Sequence, residues 1–465
     1  MKKQLPSAEI RKNPSFKDDV INRPIYPARI IVLSFLAVKL IGAILLMMPF
    51  SSKSGEFTDP LTATFTATTS TCVTGLVVVD TGDYWSTFGQ AVILLLIQIG
   101  GLGLVTLTTF FIVVFRQKIG LGGMELARSS VGSSSFQNLH GLVTLIVITT
   151  LSIEALGAAL LSIRFIPLYG VGKGIWMSVF TAISAYCNAG IDLFEGEYTS
   201  LTAFSGDWLV TGVIMALIVI GGLGFLVYQD IFAYRKRKKL MLHTKIVLLF
   251  TAVLIITGAI FIFAFEFSNK GTLGDLSFSE KILASLFQSI TMRTAGFNTV
   301  DLGTLSDPSK LISCILMFIG AAPGSTAGGI KITTFIVVLM TVVTAFMNRS
   351  ETIIFHRKIR HSTVYKALSI MAVGAVIIGI ASAVLMVENP GIETVDILFE
   401  VFSAFATVGV TTGITPTLGI VSKIVIILTM FLGRVGTFSI FMALTLREQE
   451  EKTKTVLPEG ELMVG

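Results

Sequence analysis

The chain has 465 residues, a mean hydropathy of +0.82, 53% hydrophobic residues and only 14% charged residues. A soluble globular protein carries nearer a quarter charged residues, so this composition places the chain in lipid rather than water. The formal net charge of +6 does not point to nucleic acid, because the basic residues gather in particular loops, as membrane topology requires.

The N-terminal stretch MKKQLPSAEIRKNPSFKDDVINRP is charged and has no apolar core, so it reads as a polar arm over 1–28 and not as a cleaved signal. Apolar runs long enough to cross a bilayer follow at about 30–50, 88–115, 139–166, 208–232, 243–267, 309–346, 366–387 and 419–446. Lys2, Lys3, Arg11 and Lys12 precede the first. Arg116, Lys118 and Arg128 follow the second, Arg235 to Lys239 the fourth, and Arg349, Arg357, Lys358, Arg360 and Lys366 the sixth. The alternate loops are acidic instead, with Glu56, Asp80, Asp192, Glu195, Asp207 and Glu393 among others. The positive-inside rule predicts eight spans with both termini in the cytoplasm, the tail being 447–465.

Each outer loop contains an apolar stretch too short to span, ending near a glycine: FTATTSTCVTGL, FTAISAYCNAGI, LFQSITMRTAGF and FEVFSAFATVGV. They align without gaps on Gly75, Gly190, Gly296 and Gly409, which recur roughly every 110 residues, the mark of a structural repeat. The span after each loop carries IGGLG, IGGLG, IGAAPG or LGRVG. The expected units are 29–116, 117–235, 236–347 and 348–446. Two spans per unit return the chain to its starting side, so the units are parallel and suited to surrounding one axis. The fold predicted is an all-α membrane protein of four span–pore loop–span repeats.

A short helix that enters the membrane and stops at glycine turns its negative end toward the centre, which favours a cation. Glycine admits the backbone that aims carbonyls at an axis, and a ring of carbonyls replaces a hydration shell. The acids after the turns, Asp80, Asp192 and Asp301, are candidates either for drawing cations in or for plain solvated charges. These arguments reach a cation and stop short of potassium.

TSTCVTGL, YCNAGI, MRTAGF and ATVGV together resemble the filter segments of the Trk/Ktr/HKT superfamily of potassium transporters, closest to the Ktr-type membrane subunit, over about 30–446. The resemblance implies a filter of Val73, Thr74, Gly75, Asn188, Ala189, Gly190, Thr294, Ala295, Gly296, Thr407, Val408 and Gly409, binding K+ through backbone carbonyls. It further implies Na+ as activator, a homodimer with one pore per chain, and a cytoplasmic ring of nucleotide-binding RCK/KTN-type subunits carrying ATP or ADP, in a bacterial plasma membrane.

The sixth span reads ILMFIGAAPGSTAGGIKITTF. Gly320, Ala321, Ala322, Pro323, Gly324, Ser325, Thr326, Ala327, Gly328 and Gly329 disfavour a helix, so an unwound intramembrane loop over 320–330 is expected, either a gate or a packing kink. The resemblance implies the gate. Arg434, in the eighth span, falls at the level of that loop and is read as part of its barrier or as an anchor to backbone carbonyls. Arg293 is expected at the outer rim or against the short helix, for packing or selectivity. Cys72 and Cys187 read as small core residues, and GGLG at 100–103 and 221–224 as helix packing. His140, His243, His356 and His361 read as ordinary surface residues. No Walker A, HExxH or GxSxG motif stands in context, so no enzyme is expected. The competing reading is an ion-coupled transporter with alternating access.

Overall fold

The computed structural model describes residues 26–103, 139–195, 200–349 and 351–436. The N-terminal arm, the C-terminal tail, the loop basic residues Arg116, Lys118 and Arg128, and the ends of the second and eighth spans lie outside these residues.

Among the described residues, four long apolar helices meet the length and hydropathy needed to cross a bilayer: α1 Tyr26–Met47, α4 Leu139–Tyr169, α8 Leu242–Glu266 and α12 His361–Glu388. Each is followed by a shorter helix: α2 Pro60–Cys72, α5 Val171–Cys187, α9 Phe278–Thr291 and α13 Thr394–Ala406. At 1.5 Å per residue the 13-residue α2 extends about 20 Å, too little to span. Then come α3 Thr87–Leu102, α6 Trp208–Leu223, α10 Asp307–Phe318 and α14 Ile420–Val435.

Local chemistry sets the starts of these helices on what we call the upper face, where the four short helices begin. Asp59 caps α2 by accepting from Leu61 N–H and Thr62 N–H, with Pro60 at the first helical position. Ser277 and Glu280 form a capping box on α9. Ser86 caps α3, and Asp207 caps α6 while pairing with Arg164 of α4 at 2.7 Å. Two further carboxylates tie a long helix to the next inner one: Glu266 accepts from Ser306 N–H, and Glu388 from Val421 N–H and Ser422 N–H.

The packing order closes a ring. Helix α3 packs on α5 of the next unit, α6 on α9, α10 on α13, and α14 returns to α2. A buried ion pair strengthens one of these joints: Lys310 of α10 meets Asp396 of α13 at 2.7 Å.

The fourth span is broken as well as the sixth, contrary to the expectation that only the sixth is interrupted, and the described parts of the second and eighth spans likewise end at a glycine. Gly103, Gly224 and Gly436 end α3, α6 and α14 with φ of 81°, 89° and 85°. After Gly224 the chain turns by 90° into α7 Phe225–Arg237. Such φ values belong to glycine, so GGLG is a stop signal as well as a packing surface. Packing is its other role. A Cβ at Gly100, Gly221 or Gly433 would strike the carbonyl of Thr71, Tyr186 or Phe405, each four residues before its unit's aligned glycine. Past the sixth-span break, α11 Ile332–Phe346 leads into a two-residue hairpin, β1 Ile353–Ile354 with β2 Arg357–Lys358.

Candidate functional site: four converging turns and the broken span

The short helices end in a shared turn. The residues two before each glycine, Val73, Asn188, Thr294 and Thr407, have φ of 55°, 58°, 76° and 52°. A positive φ at Val73, Thr294 and Thr407 is unusual, because a branched Cβ crowds the left-handed region, and such strain gathers at functional sites. The aligned glycines follow with φ of 107°, 62°, 87° and 92°. Left-handed residues at alternate positions bring successive carbonyls toward one side.

Their amides point the other way, into the short helices. Thr74, Ala189 and Val408 N–H donate to the carbonyls of Thr69, Ser184 and Ser403 at 2.8, 2.7 and 2.8 Å. The same three residues give their hydroxyls to the turn: Gly75 N–H donates to Thr69 Oγ1 at 2.9 Å, Ile191 N–H to Ser184 Oγ at 3.0 Å, and Gly409 N–H to Ser403 Oγ at 3.0 Å. This hydroxyl, six residues before each of those glycines, was legible in the aligned sequence and was not singled out there. The third unit has Ile290 at that place and stops its helix earlier, at Thr291, whose hydroxyl donates to Phe297 O.

The four glycines meet in cyclic order. A Cβ at Gly75 would lie 2.6 Å from Ala189 O, at Gly190 2.6 Å from Ala295 O, and at Gly296 2.7 Å from Val408 O; at Gly409 it would collide with Thr74 O. Thr74, Ala189, Ala295 and Val408 are fully buried. Among the described residues, none of their carbonyls accepts a hydrogen bond. Buried backbone carbonyls without a partner are costly, so this ring needs a cation or water to satisfy it.

Under the ring lies the interrupted helix. The chain is non-helical from Ile319 to Lys331, with Gly324 at φ 67° and Gly329 at φ 64°. It closes on itself through Gly320 N–H to Ile330 O, 2.8 Å, and Ile332 N–H to Ala321 O, 3.1 Å. The break in the second unit's inner helix holds it from one side. Ala322 N–H donates to Gly222 O at 3.1 Å, and Phe225 N–H donates to Gly324 O at 2.8 Å. The Thr326 hydroxyl donates to Tyr186 O and Gly221 O. Ser325 donates to Ala322 O, and Pro323 stands at the surface of the loop. Gly328 approaches the Thr407 side chain so closely that a Cβ would clash with it.

Arg434 reaches this loop from α14. Its guanidinium donates to Thr326 O and Gly100 O, tying the fourth unit, the loop and the first unit together. Lys331 donates to Ala327 O at 2.6 Å and Gly328 O at 3.3 Å. Two cations therefore occupy loop carbonyls.

Two buried ionisable side chains stand close to the turns. Glu154, midway along α4 and absent from the sequence reading, accepts from Gln98 Nε2 at 3.1 and 3.2 Å and lies 3.7 Å from Cys187 Sγ. A lone acid in the middle of an apolar spanning run is itself a signal that could have found it, although its partners are distant in the chain. Arg293 is buried beside Thr251 of α8, not at an outer rim. Cys72 and Cys187 are buried free thiols, and no group of three metal-ligating side chains occurs among the described residues. His243 is half-buried facing Asp230, so it is not the surface residue expected.

The upper-face acids differ among themselves. Asp301 is exposed and Asp80 caps the turn Thr81–Tyr84. Burial pushes the Asp192 carboxyl up to about 7, opposed by a bond from Ser200.

Residues 16–454 match the TrkH family, described as a cation transport protein. The chain is 40% identical to Ktr system potassium uptake protein B of Bacillus subtilis, covering 94% of this chain and 97% of that one. It is 37% identical to the potassium/sodium uptake protein NtpJ of Enterococcus hirae, over 96% and 98%. A solved structure, the potassium transporter TrkH from Vibrio parahaemolyticus, superposes with a TM-score of 0.70 at 16% identity, covering 91% of this chain and 86% of that one. Ring closure of four units, apolar spanning helices and these matches agree: the chain is a multi-pass membrane protein belonging to the TrkH family of cation transport proteins.

Proposed function

We propose that this chain takes up potassium across the bacterial plasma membrane through a gated, channel-like path. The observation that supports it most is the ring of buried, unpartnered carbonyls at Thr74, Ala189, Ala295 and Val408. Such a ring offers an incoming K+ oxygen ligands in place of its hydration shell. Val73, Asn188, Thr294 and Thr407, with Gly75, Gly190, Gly296 and Gly409, complete the filter.

Residues Gly320 to Gly329, with Arg434, form the gate. They lie under the ring, break the helix, and are held by bonds that a small movement would exchange. Both termini face the cytoplasm. The relatives named as Ktr system proteins favour a membrane subunit that works with a regulatory partner. The partner we infer is a ring of nucleotide-binding RCK/KTN-type subunits carrying ATP or ADP, with the membrane chain as a homodimer and Na+ as activator.

Rubidium uptake into liposomes containing the purified chain tests this reading. Saturable uptake, competed by K+ and lost in Gly409→Ala, is expected. Absence of uptake with or without Na+ and the nucleotide-loaded partner would overturn it. Uptake requiring a second ion stoichiometrically would favour coupled transport.

A further inference from the structure

At the position three residues before the aligned glycine, the units carry Cys72, Cys187, Arg293 and Ala406. Only the third carries a charge, and it is permanent, because a guanidinium does not deprotonate in proteins. Arg293 is 7% exposed. Its Nη atoms reach only Thr251 O and Thr251 Oγ1, both at 3.4 Å, and its Nε has no partner among the described residues. None of the ion pairs among the described residues includes it. A buried charge held this loosely costs several kcal/mol of solvation, and packing alone gives no return for it.

The surroundings locate its effect. Arg293 lines a small void of about 10 Å³ together with Gly222, Thr251, Ile290 and Ala321 of the broken-span loop. That void has room for about one water molecule. Asn188 lies beside the same spot, 3.7 Å from where a Cβ on Gly222 would stand, and donates to Thr294 Oγ1 at 3.4 Å. The guanidinium thus shares one small space with the loop-facing end of the second and third turns.

Resting on the reading of the ring as a cation path, we propose that Arg293 is a specificity-determining residue that excludes divalent cations from the loop-facing end of the ring. Carbonyl oxygens and the acids of the upper face attract a divalent ion more strongly than a monovalent one. A fixed positive charge reverses that order, since it repels a divalent ion twice as strongly. Three residues from Gly296, the Arg293 Cα lies within about 10 Å of that glycine. At that range, with partial screening, the differential penalty changes divalent occupancy on the order of tenfold. The charge also opposes the negative C-terminal end of α9, so the third unit holds ions less tightly than the other three.

The test is block of rubidium uptake by Ba2+ in liposomes containing the full chain. Arg293→Gln is expected to transport rubidium and to be blocked at roughly tenfold lower Ba2+ than the unmodified chain. Arg293→Lys keeps the charge and the original sensitivity. Thr251→Glu, which neutralises the guanidinium without removing it, is expected to copy Arg293→Gln. Unchanged Ba2+ sensitivity in either neutralised variant would overturn the proposal. So would loss of rubidium uptake in both variants when each elutes as a folded protein in detergent, which assigns Arg293 a purely structural part. Failure of the unmodified chain to transport rubidium at all would instead count against the ring as a cation path.

Discussion

The hydroxyl of Thr326 donates to the carbonyl of Tyr186 at 3.1 Å, joining the broken sixth span to the last turn of the second short helix. Tyr186 lies four residues before Gly190, so the loop is anchored to the short helix that leads into the ring. The same hydroxyl reaches Gly221 O at 3.2 Å. On the proposed gating, opening the loop breaks both bonds.

Thr326→Val keeps the shape and removes the donor. The expected loss is about 1–2 kcal/mol of stabilisation of the closed loop. Rubidium uptake without any regulatory partner is expected to rise about fivefold or more, with a fall in melting temperature of a few degrees. Partner-free uptake equal to that of the unmodified chain would show that this bond does not hold the loop.

Arg434→Ala removes the donor to Thr326 O and Gly100 O. Hydrogen bonds to charged groups are worth about 1.5–3 kcal/mol each. Partner-independent uptake is expected to rise more than in Thr326→Val, on the order of a hundredfold. Arg434→Lys, unable to fork to two carbonyls, is expected to fall between the two. Flux assays on the three variants, read with and without the partner, give the order.

Asp192 supplies a pH dependence. Its carboxyl is pushed up from 3.8 to about 7 by burial, with Asp80 adding repulsion. Because the folded value is raised, its contribution to stability is complete below the unfolded value and is lost as pH rises through 7. The negative charge at the upper face appears over the same interval. The half-saturating rubidium concentration is therefore expected to fall between pH 6 and 8. Asp192→Asn is expected to flatten that profile and to melt higher than the unmodified chain at pH 8. An unchanged profile in the variant would remove Asp192 from ion attraction.

Lys310 and Asp396 test the ring closure itself. With side chains 5% and 17% exposed, the pair joins the third unit to the fourth. Asp396→Asn leaves a buried ammonium without its partner, at a cost of about 3–5 kcal/mol. Thermal denaturation in detergent is expected to show a clear loss, and Lys310→Met with Asp396→Leu to recover most of it.

The aligned glycines were visible in the sequence because each must adopt a positive φ and admit a neighbouring carbonyl, and only glycine does both. The Pro and Gly cluster at 320–329 was visible for a related reason, since it cannot continue a helix. Composition and hydrophobic run length were enough to assign the chain to a bilayer. The hydroxyls at Thr69, Ser184 and Ser403 were on the page but unread, as serine and threonine are common in apolar helices. The helix stops at Gly103 and Gly224 were read mainly as packing, because a glycine does not by itself distinguish close approach from a helix stop.

What the sequence by itself determined is therefore local: where helices start, where they stop, and that the pattern repeats four times. Only the tertiary structure decided which atoms meet across units. Arg434 on Thr326 O and Gly100 O, Glu154 on Gln98, Thr326 on Tyr186, and Arg293 beside Thr251 all join residues dozens to hundreds of positions apart. Periodicity is blind to such pairs, because ring closure sets them and not spacing along the chain.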